Sequence, residues 1–423
     1  VVARIVDVFT EEGADAWYSS PPSRFLGQDR DPDDYEQVMD IVDVWFESGS
    51  THAFVLEQRG LPWPADLYLE GTDQHRGWFH SSLLESVGSR GVAPFKAVLT
   101  HGFTLDEQGR KMSKSLGNTT APQEVWDKYG ADILRLWVMN TDITEDQRIG
   151  PEILKQTSEL YRRLRNTLRW LLGSLDGFTP GEHLPEAEMP ELERWVLHRL
   201  WELDNQIRTA VDSHDWAGVY PAIHSFCSTD LSAFYFDIRK DTLYCDRPDS
   251  LRRRAARTVL DHLHRCLATW LAPVLVFTAE EAWSARFGEE ASVHLQDFYA
   301  VPERWRDDAL AEKWLAIRAR RSTATTALEA MRRDGKIGSS LQAAVDLGLP
   351  EAEETLLSAP EWAEVLIVSA ATTGRSAEAS VATSLAPGEK CARCWKILPE
   401  VGTQHAHPTL CLRCADAVEP AAA

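Results

Sequence analysis

Residues 66–100 read DLYLEGTDQHRGWFHSSLLESVGSRGVAPFKAVLT. Two short apolar runs, Asp66-Leu67-Tyr68-Leu69-Glu70 and Lys96-Ala97-Val98-Leu99-Thr100, have the length of buried strands. Between them, apolar residues recur at helical spacing: Trp78, Phe79, Leu83, Leu84 and Val87. Strands that alternate with helices are typical of a parallel sheet. Because this alternation extends over residues 1–146, we predict an α/β domain there.

Polar residues follow the ends of both predicted strands. Glu70 ends the first strand just before a helix, which is where doubly wound folds bind their ligands. Gly71 would let the backbone approach a ligand, and Asp73 and Gln74 offer an acceptor and an amide. Asp73 could instead cap the following helix. His101 ends the second strand, where a purely structural histidine is the alternative.

A cationic loop lies downstream, at Gly109-Arg110-Lys111-Met112-Ser113-Lys114-Ser115-Leu116-Gly117-Asn118. Its glycines and hydroxyls indicate a flexible loop, and two ammonium groups three residues apart can neutralise charge that develops on a polyphosphate. Lys111, Ser113 and Lys114 are therefore the candidate catalytic residues. An ordinary charged surface loop is the alternative.

A helical texture begins at Gly150-Pro151. Leu160, Leu164, Leu168 and Leu171 mark one long helix, and proline is favoured at a first helical position. Apolar helical patterns continue at about 190–212, 216–245 and 250–285, where Pro273 should kink or divide the last helix. These patterns predict an all-α bundle.

The region after residue 300 differs again. A basic helix precedes Ala343-Ala344-Val345-Asp346-Leu347 and Val365-Leu366-Ile367-Val368, which together predict a small α+β module. Residues 369–389 are rich in Ser, Ala, Thr and Gly, and this composition is typical of a linker.

Four cysteines near the C-terminus form two CxxC pairs: Cys391, Cys394, Cys411 and Cys414. Four thiolates in such pairs predict a closed tetrahedral site for one structural zinc ion within a zinc ribbon. Two redox-active dithiols are the alternative, disfavoured because neither pair opens a helix in a βαβ unit. His405 and His407 rank below the cysteines as ligands because the quartet already completes the coordination.

Composition limits the protein class. The chain has 423 residues, 44% of them hydrophobic, and a net charge of −21. No apolar run reaches the roughly 18 residues that a membrane helix needs, so no membrane association is expected. The acidic balance is unusual for a nucleic-acid binder, but basic runs occur near residues 162–169, 252–257, 318–321 and 332–336. Each run is either a solvated helix face or part of a binding surface.

The cationic loop matches the Lys-Met-Ser-Lys-Ser signature of class I aminoacyl-tRNA synthetases. Asp43-Val44-Trp45-Phe46-Glu47-Ser48-Gly49-Ser50-Thr51-His52 and residues 68–79 resemble the isoleucyl-tRNA synthetases more than their valyl or leucyl relatives. The resemblance continues through His101-Gly102-Phe103, residues 129–135, residues 231–241 and the cysteine ribbon. It is closest to the bacterial-type isoleucyl enzymes and covers nearly the whole chain.

The resemblance implies a domain order. Residues 1–146 would be the C-terminal half of a Rossmann-type catalytic domain, with residues 1–20 the tail of an editing insertion. Residues 147–300 would form the helical anticodon-binding domain, 301–380 an α+β junction module and 381–423 the zinc ribbon. The family's His-Ile-Gly-His motif does not occur, so the chain is expected to be a fragment that is inactive alone.

The resemblance also implies the chemistry. Isoleucine would react with ATP, supplied with Mg²⁺, to give the adenylate and pyrophosphate, and the acyl group would pass to tRNA(Ile). Glu70, Gly71, Asp73, Gln74, His101 and Lys114 would then bind the nucleotide or the adenylate. A cytoplasmic monomer is expected. Arg393, Trp395, Lys396 and Arg413 beside the cysteines suit an RNA backbone or an unpaired base, unless they only pack and solubilise the ribbon.

Two other functions fit parts of the sequence. A non-catalytic RNA-binding module would explain the bundle and the cysteines, but it has no need of a phosphate-binding loop. A valyl-tRNA synthetase relative is disfavoured by the segments around Trp45 and Glu70 and by the ribbon. A pocket distinguishes isoleucine from valine by only about 1–3 kcal/mol, so the amino-acid specificity follows from the resemblance alone.

Overall fold

The computed structural model describes residues 1–42 and 44–419. Asp43, the first residue of one motif quoted above, and residues 420–423 of the predicted ribbon lie outside the described residues. The chain divides into two compact units, Val1–Phe103 and Thr104–Ala423. None of the described helices combines the length and apolarity that crossing a bilayer requires.

The first unit contains a short parallel sheet and several helices. Its strands are β1 (Ala65–Gly71) and β2 (Phe95–His101), and its α-helices are α1 (Val2–Glu12), α2 (Ala16–Ser19), α3 (Pro22–Leu26), α4 (Val44–Gly49) and α5 (Trp78–Arg90). A 3₁₀ turn, Thr72–Arg76, leads from β1 into α5. The predicted strands, their crossover helix and their parallel pairing are confirmed. Tyr68 of β1 packs against α5, because its ring stacks on the ring of Trp78 with centroids 4.4 Å apart.

The second unit begins with a small α/β segment. Strands β3 (Thr104–Leu105) and β4 (Gln147–Arg148) pair in parallel, and helices α6 (Pro122–Tyr129) and α7 (Ala131–Met139) lie between them in sequence. Val125, Trp137, Ile149 and Leu154 form a separate small core for this segment. Met112 of the cationic loop is partly buried against this core, which therefore adjoins the loop.

The predicted helical bundle follows. Its helices are α8 (Pro151–Ser174), α9 (Glu191–Ser213), α10 (Val219–Ser225), a π-helical segment (Phe226–Phe236), α11 (Asp237–Cys245), α12 (Leu251–Leu271) and α13 (Val276–Phe287). Pro151 is at the first position of α8, as expected. The segment around Pro273 separates α12 from α13, because proline cannot continue the hydrogen-bond ladder. Leu164, Leu200 and Leu263 are fully buried in the shared core.

The junction module contains α14 (Asp308–Arg333), α15 (Ala359–Val365) and a three-stranded sheet. The strand order is β6 (Ala370–Arg375), β5 (Ala343–Leu349), β7 (Ser380–Leu385), with β6 parallel and β7 antiparallel to β5. Alternate residues of β5 are buried, namely Ala343, Val345, Leu347 and Leu349. This period of two is that of a strand with one face in the core.

Two predictions in this module were wrong. Val365-Leu366-Ile367-Val368 is not a strand: α15 ends at Val365, and Ile367 lies in a turn with a φ of 56°. Residues 369–389 are not a linker, because β6 and β7 occupy most of them. Their small Ser, Ala and Thr side chains resemble linker composition, yet they fit an edge strand whose backbone pairs with the apolar β5.

The cysteine region forms the last element of the second unit. A two-stranded antiparallel ribbon, β8 (Glu389–Lys390) with β9 (Ile397–Leu398), precedes helix α16 (Leu412–Val418). The first CxxC pair lies between the strands and the second lies at the start of α16. The region has few large apolar side chains of its own, and its buried centre consists mainly of cysteines.

Candidate functional sites

The predicted ligand-binding residues of the first unit lie together at the carboxyl end of its sheet. Glu70 pairs with Thr100 and Gly71 with His101 across the parallel strands. A methyl group on residue 71 would come within 2.6 Å of Asp73 Oδ1 and 3.6 Å of His101 Cε1. Gly71 is therefore required for the close approach of these groups. Glu70, Asp73 and His101 are exposed and accessible to a ligand.

The side chains after β1 are held by short-range hydrogen bonds. Gln74 Nε2 donates to Asp73 Oδ2 at 3.1 Å, and Gln74 Oε1 accepts from the Trp78 amide at 3.0 Å. Gln74, not Asp73, thus satisfies the first amide of α5, so the capping alternative for Asp73 does not hold. The carboxylate of Asp73 remains at the surface with the Gln74 amide beside it.

The cationic loop of the second unit presents two exposed ammonium groups. Ser113 begins a 3₁₀ turn, Lys114–Leu116, and its Oγ accepts from the Leu116 amide at 3.3 Å. Gly117 follows with a φ of 64°, which favours glycine. Within residues 1–42 and 44–419, neither Lys111 nor Lys114 has a side-chain hydrogen bond or ion pair. Both charges are available to an anionic ligand.

The buried carboxylate of Asp106 fixes the base of this loop, a role that the cationic motif alone does not reveal. Asp106 accepts from the Arg110 amide at 2.8 Å, from Arg110 Nε at 2.8 Å and from Asn118 Nδ2 at 2.9 Å. The Asn118 hydrogen bond, followed by those from Arg110, lowers the pKa of Asp106 to about 2. Asn118 also accepts from the Ser113 amide at 2.9 Å. An Asp three residues before a Gly is a turn signal that could have indicated this latch.

The four predicted metal ligands come together. Each of Cys391, Cys394, Cys411 and Cys414 is buried, and their sulfur atoms all lie within 4.8 Å of one another. All seven cysteines are free thiols, so the two CxxC pairs are not disulfides. One cluster of four sulfurs favours a single metal site over two separate dithiols. Cys245 of α11 packs against this cluster, which its place in a helical pattern did not reveal.

The cluster fits a zinc ion in both size and chemistry. Tetrahedral zinc with sulfur ligands at about 2.3 Å separates the sulfurs by about 3.8 Å. Cys394 Sγ and Cys411 Sγ are 3.8 Å apart. Donors already point at the sulfurs, since the Cys411 amide donates to Cys391 Sγ at 3.4 Å and Arg393 to Cys414 Sγ at 3.8 Å. Such donors stabilise thiolates, which are the form that binds metal.

The pKa values of the four thiols are shifted by their surroundings. Although burial opposes ionisation, the backbone amides of Cys394, Cys411 and Arg393 lower the pKa of Cys391 to about 6. Burial raises the pKa of the other three thiols to about 11. A bound divalent ion is the charge that lets buried thiols ionise together. The residues present therefore suit one structural zinc.

Two basic residues of the ribbon contact the bundle instead of facing solvent. Arg413 donates to both carboxylate oxygens of Asp241 at 2.6 and 2.7 Å and to Asp246 at 3.0 Å. Arg393 donates to the carbonyl oxygen of Tyr244 at 2.9 Å and to that of Cys245. These contacts favour the alternative that Arg393 and Arg413 pack the ribbon, because acceptors of α11 and its end already engage them, and an RNA contact of either residue stays a prediction.

Many of the basic runs are also paired within the fold. Arg165 pairs with Glu281, Arg320 with Glu353, and Arg318 with Asp230. Arg252 pairs with Asp246 and Glu364. These arginines connect helices, so much of the positive charge is neutralised locally. The π-helical segment contributes mainly to the core, where Phe234, Tyr235 and Phe236 are buried.

Three protein families match separate parts of the chain. Residues 2–150 match the family described as tRNA synthetases class I (I, L, M and V). Residues 193–347 match the anticodon-binding domain of tRNA ligases, and residues 388–417 match a zinc finger found in FPG and IleRS. The families follow the chain in the order of the sheet, the bundle and the cysteine cluster.

Curated relatives extend over almost the whole chain. An isoleucine–tRNA ligase of Gluconobacter oxydans is 64% identical over 99% of this chain and 44% of its own length. That of Ruegeria pomeroyi is 54% identical over 98% of this chain and 44% of its own length. The chain thus spans less than half the length of these relatives. A solved ternary complex of Agrobacterium radiobacter K84 agnB2 LeuRS with tRNA and LeuAMS has a TM-score of 0.53 at 20% identity, covering 64% of this chain and 34% of that chain, which indicates a shared fold.

Proposed function

Because the chain belongs to the isoleucyl-tRNA synthetases, we propose that the whole protein is an isoleucine–tRNA ligase. In the first step, a carboxylate oxygen of isoleucine attacks the α-phosphorus of ATP, and pyrophosphate leaves with its Mg²⁺. In the second, a hydroxyl of the terminal adenosine of tRNA(Ile) attacks the acyl carbon, and AMP leaves. The observation that carries the proposal is the pair of unpaired, exposed lysines on a loop latched by Asp106.

Lys111 and Lys114 act on the phosphates. As pyrophosphate leaves, negative charge accumulates on its bridging oxygen, and an ammonium group fixed nearby stabilises that charge more than it stabilises bound ATP. Ser113 organises the loop through its bond to the Leu116 amide. The Asp106 latch supports this role because it orders the backbone while both lysine side chains stay uncommitted.

Residues at the strand ends bind the adenylate. Gly71 admits its backbone close to the nucleotide, and His101 lies beside that glycine across the sheet. Asp73 offers an anionic acceptor and Gln74 an amide for ribose hydroxyls or the ammonium of isoleucine. Glu70 supplies a further acceptor at the same edge. These roles follow the positions that each residue matches in the family.

The bundle and the ribbon bind tRNA(Ile), and the zinc ion has a structural role, since four cysteines leave no open coordination position for a substrate. We place the protein in the cytoplasm as a monomer. Sedimentation of the purified protein with and without tRNA checks the oligomeric state. A stable dimer in both conditions would contradict that part of the proposal.

Amino-acid-dependent pyrophosphate exchange tests the reaction. The whole protein should exchange pyrophosphate into ATP with isoleucine, and about 10- to 200-fold less efficiently with valine. Preference for valine would identify a valyl enzyme, and no exchange with any amino acid would leave only an RNA-binding role. Glu70→Ala should weaken binding of a non-hydrolysable isoleucyl-adenylate analogue in calorimetry, whereas Glu36→Ala, at another exposed glutamate of the first unit, should not.

A further inference from the structure

The cationic loop is preceded by a tight turn, residues 106–109, that lies against the start of α8. The Gly109 amide closes the turn by donating to the Asp106 carbonyl at 2.9 Å. Glu107 is the second residue of the turn, and its Oε1 accepts from the backbone amide of Glu152 at 3.0 Å. Glu152 lies in the first turn of α8. One side chain thus joins the cationic loop to the longest helix that begins beside it.

Gly150, which precedes α8, leaves room for this side chain. A methyl group on residue 150 would lie 2.6 Å from Glu107 Cδ and 2.7 Å from its Cβ. The φ of Gly150 is −179°, an extended conformation that any residue adopts. Backbone freedom therefore does not require glycine here, whereas the space that Glu107 fills does. An alanine at residue 150 would displace Glu107 from the helix end.

The contact supplies what the start of α8 lacks. The first amides of a helix have no partner within the helix and carry partial positive charge. The residue at the cap position of α8 is Gly150, and no side chain at that position caps the helix. The carboxylate of Glu107, 45 residues earlier in the chain than Glu152, accepts from one of these amides instead. Its negative charge also has the sign that the helix dipole favours at this end.

The segment between the loop and α8 is held to the bundle at two further helix ends. Asp132 of α7 is buried and accepts from the Thr278 amide, in the first turn of α13, at 2.9 Å. Arg135 of α7 donates to the Pro273 carbonyl, between α12 and α13, at 2.7 Å. Because α7 also packs against α8, the start of α8 is a fixed support for the loop.

The turn that contains Glu107 is continuous with both lysines of the loop. Leu105 and Lys111 form a backbone bridge across the turn. Asp106 holds the residues around Lys114 through the hydrogen bonds described above. Asp106 therefore orders the loop internally, whereas Glu107 sets its position on the helix. A shift of the Glu107 turn would move both ammonium groups.

We propose that Glu107 is a positioning residue for adenylate formation, because it fixes the turn of the cationic loop to the start of α8 and so places Lys111 and Lys114. This role rests on the proposed function, in which the two lysines stabilise the departing pyrophosphate. Coulombic stabilisation weakens with distance, and a misplacement of about 1 Å can slow a reaction by about a hundredfold. Glu107 acts through the lysines and not on the substrate.

Single-turnover adenylate formation by the whole protein tests this role. Glu107→Ala should slow the step by about 10- to 100-fold, with the affinity for isoleucine and the melting temperature unchanged. Glu107→Gln should recover most of the rate, because its amide oxygen can still accept from the Glu152 amide. Glu145→Ala, at an exposed glutamate of the same segment, is the matched control and should stay within about twofold of the unaltered protein.

Gly150→Ala alters the other partner of the contact. It should slow the step as Glu107→Ala does, because the added methyl group displaces the Glu107 side chain. The two substitutions together should be no slower than either alone, since both break one contact. Gly173→Ala is the control, because it adds a methyl group within α8 that meets nothing within 4 Å. It should react at the normal rate.

The outcomes separate this role from the proposed function. If the unaltered whole protein forms no adenylate, both are overturned. If it is active and Glu107→Ala reacts normally, the role of Glu107 alone is overturned. Loss of isoleucine affinity or of melting temperature in Glu107→Ala, without rescue by Glu107→Gln, would show a residue that only stabilises the fold. Additive losses in the double variant would show that residues 107 and 150 act separately, which also overturns the role.

Discussion

The cationic loop and the helical bundle both carry positive side chains, and they use them in opposite ways. Lys111 and Lys114 are exposed and have no ionic partner among the described residues. Arg239 in α11 is 4% exposed and bonds to Glu193, including an Nη2 to Oε2 distance of 2.6 Å, and to Glu364. The lysines are thus available to a ligand, whereas the arginine joins helices.

The number of basic residues is therefore a poor guide to RNA binding in this chain. A buried charge requires an oppositely charged partner, so an interior arginine lies beside carboxylates. Its positive charge is then neutralised and no longer attracts an external anion. With a net charge of −21, the molecule has acids to spare for this purpose. The cations that can bind an anionic ligand are those that have no ionic partner and lie on an ordered backbone.

Zinc removal should give the largest change. Structural zinc contributes roughly 10–16 kcal/mol of apparent binding free energy in finger peptides. Chelation or Cys414→Ser should therefore unfold the ribbon and release Arg393 and Arg413, while the bundle stays helical. Metal analysis should find one zinc in the unaltered chain, and amide exchange should locate the loss of protection to the ribbon.

Cys227→Ser is the control for zinc removal, because it alters a buried thiol in the bundle. Its zinc content should match that of the unaltered chain. An unaltered chain that contains no zinc, or a ribbon that remains protected in chelator, would contradict the assignment.

Removal of Arg239 should have the next largest effect. Arg239→Met leaves the fully buried Glu193 with the Tyr235 hydroxyl, at 3.1 Å, as its remaining side-chain partner within residues 1–42 and 44–419. Breaking a buried pair in this way costs about 3–5 kcal/mol. Lys114→Met should change stability by less than about 0.5 kcal/mol. Denaturant unfolding measures both, and equal effects would remove the distinction between the two kinds of cation. Glu193→Gln added to Arg239→Met should restore part of the loss.

Buried histidines should make the bundle sensitive to acid. Burial, reinforced by Arg286, lowers the pKa of His264 to about 4. A lowered histidine pKa means that the unfolded chain binds the proton more readily. Stability is therefore complete above the unfolded pKa of about 6.5 and falls as the pH drops towards 4, by about 3 kcal/mol for this residue.

His264→Gln should flatten that part of the stability profile, measured by denaturant unfolding between pH 7 and pH 4 or so. His80→Gln, at an exposed histidine of α5, is the control and should leave the slope unchanged. The same slope in His264→Gln as in the unaltered chain would show that this residue does not titrate as its burial requires.

Removal of the Asp106 carboxylate, which orders the cationic loop, should produce the smallest effect. Asp106→Asn removes the carboxylate that accepts from the Gln108 and Arg110 amides, so these amides should exchange faster while global stability hardly changes. Because the pKa of Asp106 is lowered to about 2, the latch should persist as the pH falls below the ordinary aspartate range and loosen only near pH 2.

Asp142→Asn, in another turn of the second unit, is the control. It should change the exchange rate of the Thr144 amide only, which donates to Asp142 Oδ1 at 3.0 Å. Unchanged exchange at Gln108 and Arg110 in Asp106→Asn would show that the carboxylate does not order the loop.

Local sequence patterns were sufficient to predict the fold where a single hydrophobic period or a single residue spacing dominates. The β1–α5–β2 unit, the break near Pro273 and the cluster of four cysteines all follow from residues close in sequence. The linker prediction for residues 369–389 was wrong because a run of small polar residues is compatible with both a linker and an edge strand. These residues form strands because they pair with β5, and that pairing cannot be read from the local composition of residues 369–389.

Sites that depend on distant contacts could not be predicted from spacing. The positive charge of Arg413 is visible in the sequence, but its carboxylate partner Asp241 lies far away along the chain. Glu107 likewise meets the start of α8 only because β3 pairs with β4. The identities of Glu70 and Lys114 were recognisable from motifs, and their proposed roles stay predictions.

The most direct measurement is the single-turnover rate of isoleucyl-adenylate formation by the whole protein with Lys114→Ala. Loss of one preorganised electrostatic partner should slow the step roughly a hundred- to thousandfold with little change in isoleucine affinity. Lys128→Ala, at an exposed lysine over the Tyr129 ring, should leave the rate within about twofold, as expected for a surface substitution. An unchanged rate in Lys114→Ala, or equal losses in both variants, would contradict the account.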